Sequence, residues 1–206
     1  MSCPDIPLVF DIPSIQSMDG LLNDENHYEV TVKLDGSSMT VYHRDGETGV
    51  CSRNLDLLED DGNTFWSVAK MLNLPSRIAA LGNFAVQGEL MGPGIQGNRE
   101  NLPQHDLFVF DVFDIDAQRY LLPPERIQFM AHLNATEGPI VNSCPFVMMA
   151  SPLEISRGGI ERMLDHADGP SLFNPIREGV VRKHMSAPGA SFKVISNKYL
   201  LGELIR

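Results

Sequence analysis

The stretch YEVTVKLDGSSMTVYH, residues 28–43, constrains the fold more than any other part of the chain. Valine, threonine and tyrosine dominate both arms, as is typical of pleated strands, and LDGSS is a turn sequence, so the stretch predicts a hairpin. Because side chains alternate along a strand, Thr31, Lys33 and Asp35 share one face and the valines between them share the other. A lone lysine on a polar strand face is usually solvated, so this stretch alone assigns Lys33 no function.

The rest of the chain alternates strand patterns with helical patterns. Further strands are predicted at 48–54, 84–90, 107–115, 178–183 and 191–195, and helices within 63–73, from Pro123, and within 153–166. Residues 91–106 form a glycine-rich loop that we expect to be mobile. Antiparallel strands with inserted helices predict an α+β fold. A chain of 206 residues with 43% hydrophobic content fits one domain over 1–206, with an amino-terminal extension at 1–27 and its motifs at 28–201.

Composition narrows the cellular setting. The amino-terminal stretch MSCPDIPLVFDIPSIQ has no basic leader and contains three prolines, so it is not a signal peptide, and the longest apolar runs are too short to cross a membrane. The chain has three cysteines and no CxxC spacing, which supports neither a disulfide framework nor a structural zinc site. These features predict a cytoplasmic protein with no membrane partner.

Charge is unevenly distributed along the chain. The formal net charge is −11, which argues against a generally basic nucleic-acid coat. Residues 177–206 nevertheless hold six Lys or Arg against two acids, whereas the preceding residues hold ten basic and 25 acidic side chains. An acidic body with a basic carboxyl-terminal segment suits a compact anion such as a nucleotide.

Several short motifs are informative because of the order in which they occur along the chain. They are KLDGSS from Lys33, SRN from Ser52, VQGELMGPG from Val86, LFVFDVFD from Leu107, REGVVRK from Arg177 and SFKVISNKYLL from Ser191. Together they resemble the covalent nucleotidyltransferase superfamily of ATP-dependent RNA ligases, DNA ligases and capping guanylyltransferases, and they are most similar to the RNA ligases. The resemblance runs from about Tyr28 to Leu201. It implies a nucleotidyltransferase (ATP-grasp-like ligase) domain of antiparallel sheets with flanking helices.

The resemblance implies that Lys33 is the nucleophile. Attack of a lysine amine on the α-phosphate of a nucleoside triphosphate gives a phosphoramidate, and only the neutral amine attacks. An ordinary lysine has a pKa of about 10.4, so positive neighbours, a metal ion or burial must favour the neutral form. Asp35 would hold the amine or orient the leaving group through a metal. Lys193 would contact the α-phosphate.

Other motif positions imply nucleotide contacts. Thr31 matches a family position near the base, and Arg53 resembles the arginine that approaches the ribose or phosphates. Glu89 matches the glutamate that accepts hydrogen bonds from ribose hydroxyls. Each of these residue types is also common on ordinary protein surfaces, so their assignment rests on the resemblance.

The LFVFDVFD strand supplies the expected aromatic contact. Alternation places Phe108 and Phe110 on one face and Phe113 on the other, and the family phenylalanine that stacks on the purine corresponds to Phe110. Glu178 matches a metal-coordinating glutamate, and its hard carboxylate oxygen suits Mg²⁺ or Mn²⁺. The six histidines show no paired spacing, so zinc is not expected.

Two positions depart from the family pattern. Many relatives carry a carboxylate immediately before the nucleophile, where this chain has Val32. Many RNA ligases also carry a second lysine two residues after the motif lysine, where this chain has Ile195, which leaves Lys198 or Arg182 as possible substitutes.

The resemblance implies an RNA ligase adenylyltransferase that uses ATP and Mg²⁺ or Mn²⁺. ATP and Lys33 form a lysyl-AMP intermediate, AMP passes to an RNA 5′-phosphate, and a 3′-OH displaces it. The alternatives are a DNA ligase, an mRNA capping guanylyltransferase, or a non-catalytic nucleotide- or RNA-binding module. The expected partners are ATP and RNA ends, and an additional domain is expected elsewhere unless the chain is a minimal enzyme.

Overall fold

A computed structural model describes Pro13, Ser14 and residues 27–204, with the side chains of 152–158 and 203–204 left out. The strands in chain order are β1 Tyr28–Lys33, β2 Ser37–Arg44, β3 Glu47–Cys51, β4 Asp56–Leu57, β5 Phe84–Met91, β6 Asp106–Asp114, β7 Arg119–Tyr120, β8 Asn142–Ser143, β9 Phe146–Ala150, β10 Gly179–His184 and β11 Ser191–Ile195. The helices are α1 Thr64–Met71, α2 Leu74–Ala79, α3 Pro123–Ala135, α4 Pro152–Ala167 and α5 Asn197–Leu204. The α+β class of antiparallel sheets with flanking helices is confirmed.

The described residues fall into two compact units. The first comprises residues 36–143, and the second comprises 13–14, 27–35 and 144–204. The assignment of 1–206 to a single domain stays a prediction. The extension predicted over 1–27 lies outside the described residues except for Pro13, Ser14 and His27.

The first unit contains a mainly antiparallel sheet of strand order β4-β3-β2-β5-β6-β7, with β8 parallel to β6. Its principal core combines residues of the sheet with residues of α1, α2 and α3, including Val86 on β5, Ala69 on α1, Ile78 on α2 and Leu133 on α3, all fully buried. The helix predicted within 63–73 is confirmed as α1. The Asn63 side chain caps this helix by accepting hydrogen bonds from the backbone N–H groups of Phe65 and Trp66.

The second unit contains an antiparallel sheet of order β11-β10-β1-β9. Strand β1 is paired on both edges, and both of its faces are covered, since Val30 is fully buried and Thr31 is 4% exposed. Met163 and Ala167 of α4 pack into the same core. The strand predicted at 178–183 is displaced by one residue, so Glu178 immediately precedes β10.

The predicted hairpin at residues 28–43 is wrong. Strand β1 pairs with β9 and β10, whereas β2 pairs with β3 and β5, so the two arms enter different sheets. At Gly36, where the second arm starts, a Cβ atom would meet the carbonyl oxygen of Leu90 and lie 2.9 Å from Met91 Cγ. Because glycine has no Cβ atom, the backbone can pass close to β5 at the point where it enters the sheet of the first unit.

Three further features depart from the expectations. The sequence analysis missed α2, which begins around Pro75, and the edge strand β9. The glycine-rich loop contains a 3-10 turn, Gln96–Asn98, and Asn98 exchanges two hydrogen bonds with the backbone of Leu102.

Of the described cysteines, Cys51 is fully buried at the end of β3, and Cys144 is a free thiol. Among the described helices, none combines the length and apolar character needed to cross a membrane.

Candidate active site

Lys33 forms a close ion pair within the second unit. It is the last residue of β1, opposite Gly179 in the ladder to β10, and its Nζ lies 2.6 Å from Glu178 Oε2. The side chains of Lys33 and Glu178 are only 25% and 16% exposed. Lys33 is therefore not a solvated surface lysine but a partly buried amine held by a carboxylate.

Four of the predicted site residues interact electrostatically. Burial is the largest influence on the pKa of the Glu178 carboxyl, which lies above its ordinary value although Lys33 lowers it. The charge of Asp35 raises the pKa of Glu178 further, and the charge of Lys193 lowers it. The structure thus brings Lys33, Asp35, Glu178 and Lys193 into one charged cluster, which we call the lysine cluster.

The raised pKa of Glu178 predicts a stabilising substitution. A carboxyl whose pKa is higher in the folded state stabilises the fold below the unfolded pKa, and this stability is lost as pH rises through the folded pKa. Glu178→Gln mimics the protonated acid at every pH. We expect its Tm to exceed that of the parent by about 2 °C at pH 8 and to equal it near pH 4. The measurement is thermal unfolding with a chelator present.

The matched control for this prediction is Glu161→Gln. Glu161 is exposed on α4 of the same unit, so its substitution removes one negative charge without removing a buried one. We expect little change in Tm at either pH. A Glu178→Gln protein less stable than the parent at pH 8 would show that the ion pair with Lys33 outweighs burial.

Strands and one helix hold the other members of the lysine cluster. Lys193 lies on β11 opposite Val181, and its backbone N–H donates to the carbonyl of Pro13 at 2.9 Å. Asp35 Oδ2 accepts a hydrogen bond from Tyr199 Oη of α5 at 3.1 Å. Sequence reasoning missed Tyr199, although it stands in the quoted motif SFKVISNKYLL.

The candidate substitutes for the absent second lysine already have partners. Arg182 is 1% exposed, and its Nη2 lies 3.2 Å from His166 Nδ1. Lys198 Nζ lies 3.1 Å from Asp168 Oδ2. A phosphate role for either cation therefore requires it to share or exchange these contacts.

Within the first unit, Glu89 contacts the turn that follows Asp35 in the chain. Its Oε1 accepts a hydrogen bond from the Gly36 N–H at 2.9 Å. Glu89 lies on β5 and pairs with Ser38 of β2 and Phe108 of β6. Its carboxylate therefore holds the glycine of the KLDG motif.

A β-bulge places Phe110 at an irregular point of β6. Gln87 pairs with Asp111 and Gly88 pairs with Val109, so Phe110 is the extra residue of the ladder. Its side chain is only partly buried. An extra residue turns two successive side chains toward one face, so Phe110 and Asp111 both lie on the face opposite the principal core.

The prediction that Phe113 lies on the face opposite Phe108 is wrong. Directly paired residues share a sheet face, and Phe108 pairs with Glu89 while Phe113 pairs with Ala85. Glu89 and Ala85 are four residues apart on β5 and therefore share a face. The bulge at Phe110 reverses the alternation, so Phe113 returns to the face of Phe108.

Arg53 and Thr31 are the two remaining residues that the sequence assigns to nucleotide contacts. Arg53 is exposed in the turn after β3, which Ser52 N–H closes by donating to the carbonyl of Leu55 at 2.9 Å. Thr31 is 4% exposed on β1, between its ladder partners Val181 and Phe146. Their roles at a nucleotide stay predictions.

The lysine cluster suits a divalent metal that shares its ligands with a substrate. Over the described residues, no group of three or more His, Cys, Asp or Glu side chains is arranged to hold a metal. Mg²⁺ commonly binds through one or two carboxylates together with substrate phosphates and water. The carboxylates of Glu178 and Asp35 supply such a partial ligand set.

Comparisons with known proteins identify the family that this chain resembles. A model of the RNA ligase family matches residues 26–195. Among solved structures, the Naegleria gruberi RNA ligase with PPi is 38% identical with a TM-score of 0.91, and alanine variants of that enzyme with ATP and Mn or with AMP and Mn give 38% and 0.90. Each match covers 100% of this chain and 60% of the Naegleria chain, so this chain spans about three fifths of these relatives. A search of the curated proteins found no match.

Proposed function

Since this chain belongs to the RNA ligase family, we propose that it catalyses the adenylyltransferase reaction of an ATP-dependent RNA ligase. The Lys33 amine loses a proton and attacks the α-phosphorus of ATP. An N–P bond forms, the bond to pyrophosphate breaks, and lysyl-AMP results. AMP then passes to an RNA 5′-phosphate, and a 3′-OH displaces it. The observation that most strongly supports this proposal is the partly buried Lys33 amine. Its Nζ lies 2.6 Å from Glu178 Oε2, and Asp35 and Lys193 belong to the same cluster.

The residues of the lysine cluster have separate roles in this reaction. Glu178 holds the Lys33 amine in one position before the nucleotide arrives, which reduces the entropy lost on reaching the attack geometry. Lys193 supplies positive charge for the α-phosphate, where negative charge develops. Asp35 and Glu178 would hold the metal. Bound Mg²⁺ or Mn²⁺ supplies charge neutralisation at the phosphates.

The predicted nucleoside contacts rest on the motif positions that resemble the family. The bulge supports this role for Phe110, because it presents a partly exposed ring beside Asp111 on one sheet face. Glu89 would accept hydrogen bonds from ribose hydroxyls. Arg53 would contact the ribose or phosphates, and Thr31 the base.

The RNA partner and the cytoplasmic location remain proposals. The net charge of −11 and the basic excess within residues 177–206 suit a nucleotide better than a long polyanion. We therefore expect RNA binding to draw on contacts beyond this chain, in a further domain or protein.

The proposed function predicts a covalent adduct on the 206-residue chain. Intact mass after incubation with ATP and Mn²⁺ or Mg²⁺ should show one added AMP, stable to denaturation at neutral or alkaline pH but released by pyrophosphate. GTP in a parallel incubation should give no adduct. An adduct from GTP alone would indicate a capping guanylyltransferase, and ATP binding without any adduct would indicate a non-catalytic binding module.

A further inference from the structure

The carboxyl-terminal helix α5 provides a tyrosine that contacts the KLDG segment. Tyr199 and Asp35 are 164 residues apart in the chain, yet Tyr199 Oη donates to Asp35 Oδ2 at 3.1 Å. Both side chains are partly buried. Asp35 follows Lys33 by two residues, so Tyr199 acts on the segment that carries the proposed nucleophile.

The first turn of α5 is joined to the segment that carries Glu178. Ser196 is fully buried, and its backbone N–H donates to the Glu178 carbonyl at 2.9 Å. Its side-chain Oγ accepts the backbone N–H of Tyr199 at 3.2 Å, which makes Ser196 the N-cap of the helix. The backbone of Tyr199 is therefore fixed relative to Glu178.

Asp168 fixes the same turn from a second direction. Its Oδ1 accepts a hydrogen bond from Ser196 Oγ at 2.7 Å, and its Oδ2 lies 3.1 Å from Lys198 Nζ. The Ser196 hydroxyl is the main reason that the pKa of Asp168 lies below its usual range, and Lys198 adds to the effect. An acid that stays ionised holds Ser196 and Lys198 across the physiological pH range.

We propose that Tyr199 is a positioning residue that orients the Asp35 carboxylate during lysyl-AMP formation, an inference that rests on the proposed function. A phenol hydroxyl is a neutral donor, so it fixes the carboxylate without neutralising its charge. The tyrosine side chain has two principal torsions, and its backbone is held through Ser196, so little freedom is lost in making this bond. The negative charge of Asp35 thus stays available to the lysine amine or a metal.

The test removes the hydroxyl alone. In Tyr199→Phe, the single-turnover rate of lysyl-AMP formation at saturating ATP should fall about tenfold, the effect of one lost hydrogen bond to a charged group. The ATP concentration for half-maximal rate should change less than about twofold, because the contact orients a reacting group and does not bind ATP. The Tm should fall by less than about 2 °C, because the bond is partly exposed.

The matched control is Leu201→Ala on the same helix. Leu201 is 59% exposed, so this variant perturbs the surface of α5 without touching Asp35. Its rate and Tm should equal those of the parent. An unchanged rate in Tyr199→Phe, or a rate loss that Leu201→Ala reproduces, overturns the inference.

A double variant tests whether Tyr199 acts through Asp35. Tyr199→Phe added to Asp35→Ala should cost less than about a further twofold, because the orienting bond has lost its acceptor. A further tenfold loss overturns the inference, and if the double variant falls below detection the single-variant rates decide. An unmodified parent that forms no lysyl-AMP overturns the proposed function as well, whereas an active parent with an equally active Tyr199→Phe overturns this inference alone.

Discussion

Lys33→Ala is expected to abolish covalent attachment of AMP, with at least about a thousandfold loss in the rate of lysyl-AMP formation. The substitution removes the only atom of this side chain that can form the N–P bond, while the rest of the cluster stays in place. The measurement is intact mass after incubation with ATP and Mn²⁺. A mass shift equal to that of the parent would remove Lys33 as the nucleophile.

The fold of Lys33→Ala should survive. Lys33 ends its strand and is 25% exposed, so its loss leaves no large cavity. Glu178 loses its largest stabilising charge, so any fall in Tm should grow with pH. Arg162→Ala is the matched control, because it removes an exposed cation on α4 of the same unit and should retain the adduct.

Gly179→Ala is expected to destabilise the sheet that carries Lys33. Gly179 pairs with Lys33 on one side and with Ile195 on the other. A Cβ atom there would clash with the carbonyl oxygen of Val194 and lie 2.9 Å from Ile195 Cα. Both are backbone atoms, so no rotamer change relieves the overlap. We expect a loss of about 3 kcal/mol of stability and a Tm lower by roughly 10 °C, with adenylylation reduced in parallel.

Gly202→Ala is the control for this second prediction. Gly202 lies in α5 of the same unit, and a Cβ atom added there would meet nothing within 4 Å beyond its chain neighbours and the backbone of its own helix. Alanine is the better helix former, so this variant should be more stable than the parent by up to about 1 kcal/mol. Equal stability of Gly179→Ala and the parent, measured by thermal unfolding, would contradict the close approach of β10 and β11.

Local patterns in the sequence were sufficient for most elements. The strand Ser191–Ile195 agrees with its prediction, α1 lies within the predicted range 63–73, and α3 begins at the predicted Pro123. These features depend on short-range sterics, side-chain period and capping, which a few neighbouring residues decide. The candidate reactive residues could also be named from the sequence, because the motifs KLDG and REGVVRK contain Lys33 and Glu178.

The tertiary structure decided which of these residues meet. The Lys33–Glu178 pair joins residues 145 apart, and the Tyr199–Asp35 bond had no signal in local spacing. The pairing of β1 with β10 and not with β2, and the bulge that returns Phe113 to the face of Phe108, are likewise nonlocal. The sequence determined the strands and the reactive groups, because propensity and alternation are local. Strand partners and register depend on burial across the whole sheet, which no short segment encodes.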